Sequence, residues 1–460
     1  MTGHKLWGGR FTKRTDPVVE RFSASIGADY RLARYDVIGS IAHARMLGRC
    51  RIVSAAESRR LVQGLTRLLK MIERGAWTPD PSAEDVHTQL QGQLGRLIGP
   101  VARKLHTARS RNDQVSLDLR LYCRDQVEAL AGRIRECQRA LIALGTASGQ
   151  TLILAYTHLQ PAQPVLVAHH LLAYVEMLAR DAERLQEARR RINVLPLGAC
   201  AVAGTSLPID RRYVARLLGF DRVAANSMDA VADRDFAVEL VAVLASLHVH
   251  LSRLSEDLVL WATQEFGLLA MDDAVATGSS AMPQKKNPDV PELVRGQAGI
   301  VIGHLTALLT VLKGLPLAYN RDLQWDKPLV FGAVEATHAA LEALTCFLRH
   351  VRIRPKRAAA LSAADGLYAT ELAEWLVERG VAFADAHQAV GRLVAYAETS
   401  GRRVAGLSLG ELKRFSPAFT PAALRLTSAR AVVARKRSEG SSRPQFVAQA
   451  LARWRKQLRG

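Results

Sequence analysis

One segment of the chain combines the residue types that a catalytic loop needs. It runs from Gly278 to Val290 with the sequence GSSAMPQKKNPDV. Glycine and small hydroxyls make its first half flexible, and the two prolines restrict the second half. Ser279 offers a hydroxyl group, and Lys285 and Asn287 offer a cation and an amide for an anionic oxygen. The pattern predicts a mobile catalytic loop, although an exposed basic turn between helices has the same composition.

Two other segments place polar residues where long helices begin. The first, Lys104 to Gln114, contains Arg111, whose guanidinium fits a carboxylate. In the second, Thr157 and His158 are expected to lie in a loop just before prolines that open the next helix. Each segment alone resembles ordinary helix capping, and a lone histidine is more often structural than catalytic. Together they supply what an enzyme acting on carboxylates requires.

The composition is that of a globular, largely helical protein. Of the 460 residues, 48% are hydrophobic, 23% charged and only 6% aromatic, with many Ala, Leu and Arg. The net charge of +20 comes partly from arginine clusters near the C-terminus. Because no nucleic-acid module or aromatic platform accompanies them, we expect a solvated basic surface and no specific nucleic-acid binding.

The sequence predicts a cytoplasmic protein that does not cross a membrane. Its start lacks the charged and apolar pattern of a signal peptide. The longest apolar stretch, Ala298 to Leu317, is interrupted by His304 and Lys313. That interruption favours a helix of a bundle over a membrane span.

No metal or cofactor is predicted. The five cysteines have no metal or redox spacing and are expected to be reduced packing residues. His169 and His170 form the one adjacent histidine pair, at the start of a long amphipathic run. Histidines in such a setting are more often satisfied within the helix than metal ligands.

Apolar periodicity predicts a mainly α fold with a long helix bundle in the middle of the chain. Helical runs are expected from about Asp235 to Phe266 and from Pro291 to Leu312, and Tyr368 to Arg379 is expected to form a helix ending at Gly380. We predict three domains: residues 1–108, mostly helical; residues 109–356, the long-helix bundle with the catalytic loop; and residues 357–460, a small helical domain.

Several long motifs carry a resemblance to a known family. The loop resembles the signature of the fumarase/aspartase superfamily, and the motifs around it resemble those of the argininosuccinate lyases, in the expected order from Leu6 to about Pro444. These motifs are Leu6-Trp-Gly-Gly-Arg-Phe11, Ser40-Ile-Ala-His-Ala-Arg45, Ser110-Arg-Asn-Asp-Gln114, Tyr156-Thr-His-Leu-Gln160 and Leu315-Pro-Leu-Ala-Tyr-Asn320.

The resemblance implies an architecture, an assembly and a reaction. The architecture is a three-domain, mainly helical protomer whose central helices form a twenty-helix core in a homotetramer. Active sites would lie where three subunits meet. The reaction would be elimination of a nitrogen leaving group from argininosuccinate to give arginine and fumarate through an aci-carboxylate intermediate, as in arginine biosynthesis.

The resemblance also assigns roles to residues. Ser279 would be the catalytic base, and Lys285 would favour negative charge. His158, with Glu292 as its carboxylate partner, would be the general acid or a proton relay, or alternatively the base itself. Tyr319, Gln324 and Lys327 would set leaving-group specificity. The residues expected to bind substrate are Ser25, Arg111, Asn112, Thr157, Arg234, Met282, Asn287, Tyr319, Gln324 and Lys327.

Four positions depart from the usual pattern of the family. Ala108 stands where glycine is general, Gln91 where glutamate is common, and Trp325 and Pro328 where acidic residues are usual. We expect these positions near the substrate pocket, where a lost carboxylate would weaken binding of a guanidinium. A lyase that releases fumarate from another N-succinyl amine or aspartate derivative is therefore the alternative. A structural protein that keeps the fold without the activity is a further possibility, disfavoured by retention of the catalytic residues.

Overall fold

The computed structural model describes residues 12–13, 15–363 and 367–459. The motif Leu6 to Phe11 lies outside the described residues. The described chain is mainly α-helical, as predicted. Its helices are α1 (Pro17–Ser23), α2 (Ile26–Asp29), α3 (Ala33–Arg49), α4 (Ala55–Glu73), α5 (Val86–Ile98), α6 (Arg111–Ala147), α7 (Val167–Ile192), α8 (Arg211–Leu218), α9 (Ser227–Ala232), α10 (Asp235–Ala262), α11 (Asp289–Leu312), α12 (Asp326–Arg349), α13 (Pro355–Leu361), α14 (Ala369–Val377), α15 (Phe383–Thr399), α16 (Leu409–Lys413), α17 (Ala429–Arg435) and α18 (Pro444–Gln457).

Short strands form three small pairs in the described part of the chain. The antiparallel pairs are β1 (Leu152–Thr157) with β2 (Gln160–Leu166) and β5 (Leu269–Met271) with β6 (Val351–Ile353); β3 (Val194–Leu195) and β4 (Arg222–Val223) are parallel. Weak strand alternation in the sequence agrees with strands this short. The first pair, however, holds residues that the sequence places in a loop.

The chain divides into two compact units. Unit 1 combines residues 1–131, 181–246 and 299–338, and unit 2 combines 132–180, 247–298 and 339–460. Helices α6, α7, α10, α11 and α12 contribute residues to both units. The three predicted domains follow a different division, which stays a prediction.

Each unit has its own apolar core. In unit 1, helices α3, α4 and α5 bury Val37, Leu61, Leu65 and Leu94 against one another. A serine begins α4 with a capping box, in which Ser54 and Glu57 satisfy each other's backbone N–H groups. In unit 2, the cluster of α14 and α15 is centred on buried leucines and alanines.

Predicted helices and histidine packing agree with the structure. The helical run predicted to begin at Asp235 corresponds to α10, and the run predicted to end at Leu312 corresponds to α11. Helix α14 is followed by Gly380 at φ 85°, a left-handed conformation that glycine adopts freely. His170 hydrogen-bonds through Nε2 to an Asp257 carboxylate oxygen at 2.7 Å, so this helix histidine is satisfied structurally.

Three helical segments are long and apolar enough to cross a membrane by length and composition alone. They are Asp235–Ala262, Asp289–Leu312 and Arg321–Arg349. Their most apolar windows differ in burial: 56% of the first and third is buried, but only 22% of the second. Helix α11 therefore leaves most of its apolar surface uncovered within one chain.

Candidate active site

Unit 1 contains a cavity of about 250 Å³ lined by charged and polar side chains. Six residues predicted to bind substrate meet there, although they lie up to three hundred positions apart in the sequence. The lining residues are Ser25, Asp29, Glu84, Asp85, His87, Arg111, Asn112, Val115, Tyr319, Arg321, Gln324 and Lys327. Since the set includes both signs of charge, the cavity suits a ligand that carries carboxylates and a cation.

A tight turn places Arg111 and Asn112 at the first turn of α6. Asp113 accepts a hydrogen bond from the backbone N–H of Ser110 at 3.0 Å through Oδ1. Its Oδ2 accepts from the N–H groups of Gly198 and Cys200 at 2.9 and 2.8 Å. Burial raises the pKa of Asp113 to about 6, while these hydrogen bonds favour its charged form. The carboxylate thus fixes the turn to the segment around Cys200.

Ala108 adopts a backbone conformation that explains why glycine is usual there. Its φ is +56°, in the left-handed region that costs a residue with a Cβ roughly 1 kcal/mol. Ala108 does not line the cavity. Its effect on the site is therefore exerted through the turn that leads to Arg111.

Arg111 is held in place by two acidic residues just before α5 and by a hydroxyl group in the first turn of that helix. Its NH1 lies 3.0 Å from Asp85 Oδ2 and 3.5 Å from Glu84 Oε2. Its NH2 donates to the hydroxyl of Thr88 at 2.7 Å. Asp85 also caps α5 by accepting from the N–H of Thr88 at 2.7 Å. The guanidinium is therefore oriented before any ligand binds.

A buried ion-pair group supports the cavity near α12. Asp326 Oδ2 accepts from Arg234 Nε at 2.5 Å, and Asp326 Oδ1 accepts from Lys327 Nζ at 2.8 Å. Burial raises the pKa of Asp326, but the charges of Lys327 and Arg234 outweigh it and keep the pKa below the ordinary value. Lys327 lines the cavity, whereas Arg234, 1% exposed, does not. Within this unit Arg234 contacts Asp326 and not the cavity, and its predicted part in substrate binding stays a prediction.

Gln324 anchors the cavity wall to the N-terminal segment. Its Nε2 donates to the carbonyl of Ser23 at 3.3 Å, and Arg321 NH2 donates to the same carbonyl at 2.6 Å. The neighbouring Trp325 is 57% exposed and does not line the cavity. Pro328 lies in the first turn of α12, where a missing N–H costs little.

Gln91 also lies outside this cavity. Its Nε2 donates to the Ala102 carbonyl at 2.8 Å, and it lines a smaller neighbouring cavity together with His87 and Arg109. None of the four departures from the family pattern thus lines the cavity that holds Arg111 and Lys327. Gln91 lines a neighbouring cavity that shares His87, and Trp325 and Pro328 flank Asp326 and Lys327 in sequence, so the expected place of these positions near the substrate pocket stays a prediction.

In unit 2, Thr157 and His158 lie at the tip of a β-hairpin. Thr157 ends β1 opposite Gln160, and the two-residue turn is His158-Leu159, with φ of 54° and 56°. Two consecutive left-handed residues make the turn that matches the twist of a hairpin, but residues with a Cβ adopt it at a cost. The turn is exposed, with Leu159 at 79%.

The prolines after His158 do not open a helix. Pro161 and Pro164 lie within β2, and the next helix, α7, begins at Val167. The prediction of a loop leading into a helix was wrong here. Proline is tolerated because a two-stranded hairpin consists of edge strands, in which one side of each strand makes no ladder bonds.

The predicted catalytic loop, Gly278 to Val290, is closed near its base by a β-bridge. Thr277 and Asn287 exchange two backbone hydrogen bonds, of 3.2 and 2.8 Å. Between them, Ser279 Oγ accepts from the N–H groups of Ala281 and Met282 at 3.3 and 3.1 Å. Both donors would stabilise negative charge on the serine oxygen more than they stabilise the neutral hydroxyl.

The remaining predicted residues of unit 2 are accessible. Lys285, Met282 and Glu292 are exposed, and Asn287 is half-buried. Among the residues described in this chain, no hydrogen bond or ion pair joins His158 to Glu292. Their pairing stays a prediction.

Sequence comparison identifies the family. A profile described as "Lyase" matches residues 9–303, and one described as "Argininosuccinate lyase C-terminal" matches residues 366–434. The argininosuccinate lyase of Desulforudis audaxviator is 50% identical over 99% of both chains, and that of Pelotomaculum thermopropionicum is 49% identical over 99% of both. The chain belongs to the argininosuccinate lyase family. It is therefore a carbon–nitrogen lyase of the fumarase/aspartase superfamily.

Solved structures agree with this assignment to the argininosuccinate lyase family. An EDDS lyase variant with bound fumarate is 27% identical, with a TM-score of 0.82 over 97% of this chain and 91% of the other. EDDS lyase in complex with formate is 28% identical, with the same TM-score and coverage. Both are lyases by name, and they share the mainly α fold of this chain.

Sequence reasoning missed a group of buried polar residues beside the cavity. Asp36, His87 and Asp118 approach one another from α3, α5 and α6, and His87 also lines the cavity. A signal was available, because Asp118 interrupts the apolar residues Leu117 and Leu119 in α6. The partners could not be found from spacing, because they lie on different helices.

Proposed function

We propose that this protein cleaves argininosuccinate to arginine and fumarate, a step of arginine biosynthesis. The observation that carries the proposal is the identity of about half of the aligned positions to argininosuccinate lyases over 99% of the chain. The mixed-charge cavity supports it, since the substrate carries several carboxylates and a guanidinium. The product fumarate is also bound by a solved neighbour of the same fold.

The reaction begins with removal of a weakly acidic proton. In our proposal the Ser279 oxygen, as alkoxide, takes the proton from the carbon next to a succinyl carboxylate. The electron pair moves into that carboxylate and forms a dianionic aci-carboxylate. The N–H groups of Ala281 and Met282 support the charge on Ser279 before transfer, and Lys285 and Asn287 offer a cation and an amide for the developing dianion.

The second half of the reaction expels the amine. The electron pair of the aci-carboxylate forms the carbon–carbon double bond of fumarate as the carbon–nitrogen bond breaks. His158 gives a proton to the leaving guanidino nitrogen, directly or as a relay, with Glu292 as the partner that orients its ring. Arginine and fumarate result, and the proton on Ser279 returns to solvent or to the relay.

The unit 1 cavity is proposed to hold the substrate. Arg111, Asn112 and Ser25 offer donors for its carboxylates, and Tyr319, Gln324 and Lys327 contact the leaving amine. Thr157 and Met282, which lie in unit 2, stay predicted substrate contacts. Asp29, Glu84 and Asp85 line the cavity and offer carboxylates for a guanidinium. They compensate for the acidic residues that are usual in the family but absent at Gln91, Trp325 and Pro328.

We propose a homotetramer in which each active site draws residues from three subunits. The hairpin tip and the predicted catalytic loop of unit 2 are exposed, and α11 carries uncovered apolar side chains such as Leu293, 73% exposed. Copies of the same chain packed along α11 would bury this apolar face, which avoids invoking a membrane. Light scattering in the absence of detergent should give about four times the 50.3 kDa mass of one chain. A detergent-dependent or monomeric species would contradict this arrangement.

Other parts of the proposal follow from the sequence. The enzyme is proposed to act in the cytoplasm, without a metal or cofactor and without specific nucleic-acid binding. Activity that survives dialysis against a chelator would support the absence of a metal requirement. A salt titration of DNA binding would check the last point, since diffuse charge loses its affinity at moderate salt.

A second candidate is a lyase that releases fumarate from another N-succinyl amine. The observation that favours it is the similarity in fold to EDDS lyase, with a TM-score of 0.82 at 28% identity. An assay of fumarate formation from argininosuccinate and from several N-succinyl amines separates the two. Turnover of argininosuccinate alone supports the first candidate, and turnover of the other amines without argininosuccinate supports the second.

A further inference from the structure

A buried charged cluster adjoins the unit 1 cavity and has no part in the reaction proposed above. It contains Asp36 from α3, His87 from α5 and Asp118 from α6. Their exposed fractions are 3%, 6% and 0%. Of the three, only His87 also lines the cavity. The cluster therefore reaches the ligand space through one imidazole ring.

Asp36 is held as a hydrogen-bond acceptor from several sides. Its Oδ2 accepts from His87 Nδ1 in a short hydrogen bond and from Gln114 Nε2 at 2.5 Å. Its Oδ1 accepts from the hydroxyl of Ser40 at 3.3 Å, and that hydroxyl accepts from Arg109 NH1 at 2.8 Å. This set of donors fixes Asp36 as an ionised carboxylate and fixes Nδ1 of His87 as a protonated donor.

Asp118 adds a second carboxyl group with no hydrogen-bond partner. Both of its oxygens are buried and unpartnered within the described structure, and Oδ2 lies 3.8 Å from His87 Nδ1. Burial and the nearby charge of Asp36 raise the pKa of Asp118 well above its ordinary value, so the neutral carboxyl form is favoured. The charges of His87 and Arg109 oppose this rise.

The balance of effects keeps His87 charged at neutral pH. Burial lowers the pKa of His87, but the hydrogen bond and charge of Asp36, with the charges of Asp85 and Asp118, outweigh it and raise the pKa to about 9. The pKa of Asp36 is lowered from its ordinary value, because the contacts with His87 outweigh the opposing effect of burial. The hydrogen bond between His87 and Asp36 requires a proton on Nδ1, and a metal ion bound at this nitrogen would have to displace that proton.

The second ring nitrogen of His87 is left for the cavity. No hydrogen bond to Nε2 is found among the described residues, and the ring shares the cavity wall with Arg111, Asn112 and Lys327. We propose that His87 is a substrate-binding residue whose imidazolium, oriented through Nδ1 by Asp36, donates from Nε2 to a substrate carboxylate. The proposal rests on the function proposed above only in taking the ligand to be a succinyl compound.

Charged and titratable groups other than Asp36 also lie near His87. They come from α2, the start of α5, the segment before α6, α6 itself and α12. These groups are Asp29, Glu84, Asp85, His106, Arg109, Arg111, Asp118 and Lys327. Burial, with the nearby charges of Arg109 and Arg111, lowers the pKa of His106 to about 4, so His106 stays neutral throughout the alkaline range.

The test measures binding of succinate to the purified full-length protein by titration calorimetry at several pH values from about 6 to 10. Succinate carries the two carboxylates of the succinyl part of the proposed substrate and cannot be turned over. The variants are His87→Gln and Asp36→Asn, with His387→Gln as the matched control. His387 is an exposed histidine on α15 of unit 2. Thermal unfolding of each variant checks that it folds.

Asp36→Asn preserves the shape of the hydrogen-bonded group. The amide oxygen can face His87 and Gln114, and the amide nitrogen can donate to the Ser40 hydroxyl, so the main loss is the negative charge. In the wild type, succinate affinity should fall as the pH rises through about 9. In Asp36→Asn this fall should move to lower pH, toward or below the ordinary histidine value of 6.5.

His87→Gln should weaken succinate binding at neutral pH by about tenfold to a hundredfold and should abolish the alkaline step. His387→Gln should change neither. If folded His87→Gln binds succinate like the wild type with the same pH dependence, the proposal is wrong. An unmoved step in Asp36→Asn contradicts it equally, including in the case where His87→Gln does not fold. Lack of argininosuccinate turnover with an intact His87-dependent step would reject the proposed function alone.

Discussion

The two units of this lyase treat their functional side chains in opposite ways. In unit 1 the cavity residues are enclosed and ion-paired, as Arg111 is with Asp85 and Lys327 with Asp326. In unit 2 the proposed base Ser279 is half-buried, whereas His158, Lys285 and Glu292 are exposed. Lys285 and His158 make no ion pair with another described residue. The contrast teaches that the side chains of the cavity are preorganised within the chain. The exposed side chains of unit 2 have no comparable ion pairs among the described residues.

The largest effect is expected at the exposed loop. Ser279→Ala removes the proposed base together with the oxygen that accepts from Ala281 and Met282. We expect kcat to fall by up to about 10⁴-fold with unchanged thermal stability. Ser280→Ala is the matched control, one residue away and exposed. Substantial activity in Ser279→Ala would move the base to another residue.

A change of comparable free energy is expected at the buried ion-pair group of Asp326, where it affects the stability of the fold and not the rate of the reaction. Asp326→Asn leaves Arg234 and Lys327 without their anion, which should lower the free energy of unfolding by about 3–5 kcal/mol. Asp322→Asn, an exposed position one turn earlier, should change it little. Urea unfolding of both variants measures the difference. An equal, small effect in both would mean that the buried group is not tightly coupled.

The pH dependence of the free energy of unfolding gives a second test of the ion pairs that Asp326 makes. Because the folded-state pKa of Asp326 lies below its ordinary value, its contribution is present above the unfolded-state pKa and is lost as the pH falls through the folded-state pKa. The wild type should therefore lose stability on acidification more steeply than Asp326→Asn. Unfolding curves measured from neutral to acidic pH would show parallel slopes if this assignment were wrong.

An intermediate effect is expected from the predicted pair of His158 and Glu292. His158→Gln should lower kcat by about 10²-fold and Glu292→Gln by about tenfold. If the glutamate acts through the histidine, the double variant should be no worse than His158→Gln alone. Steady-state kinetics of the three variants decides this. Multiplicative losses would show that the two residues act independently.

The smallest expected effect concerns the turn before α6. Ala108→Gly should relieve left-handed strain and stabilise the protein by up to about 1 kcal/mol, because the strain released exceeds the entropy that glycine adds to the unfolded chain. Ala129→Gly, at an exposed position within α6, should instead destabilise by about 1 kcal/mol. Melting temperatures that shift in the same direction would contradict the strain at Ala108.

Much of the fold follows from the sequence because periodicity and terminal residues are local signals. The starts and ends of α10 and α11 are close to their predicted positions, and Gly380 marks the end of α14. The hairpin around His158 was not predicted, because prolines there suggested a helix start. Its left-handed turn is built from residues with no strong preference for that conformation.

The candidate site divides in the same way. Motif residues such as Arg111 and Lys327 were found because the resemblance identifies them, and the structure brings them to one cavity. The burial of Arg234 and the burial of Asp118 beside His87 could not be predicted. Both depend on contacts between helices distant in sequence, where the cost of burying a charge is balanced by a partner that spacing does not reveal.

The bridge between Thr277 and Asn287 limits the number of residues that must become ordered when a substrate binds. Two backbone hydrogen bonds already join the ends of the loop, so the entropy of bringing those ends together is lost during folding and not on binding. Only the residues between them retain freedom, at about 1–2 kcal/mol for each residue fixed. A longer free segment would require more of the substrate's binding energy before proton transfer could begin. The bridge thus leaves a larger share of that energy for the transition state.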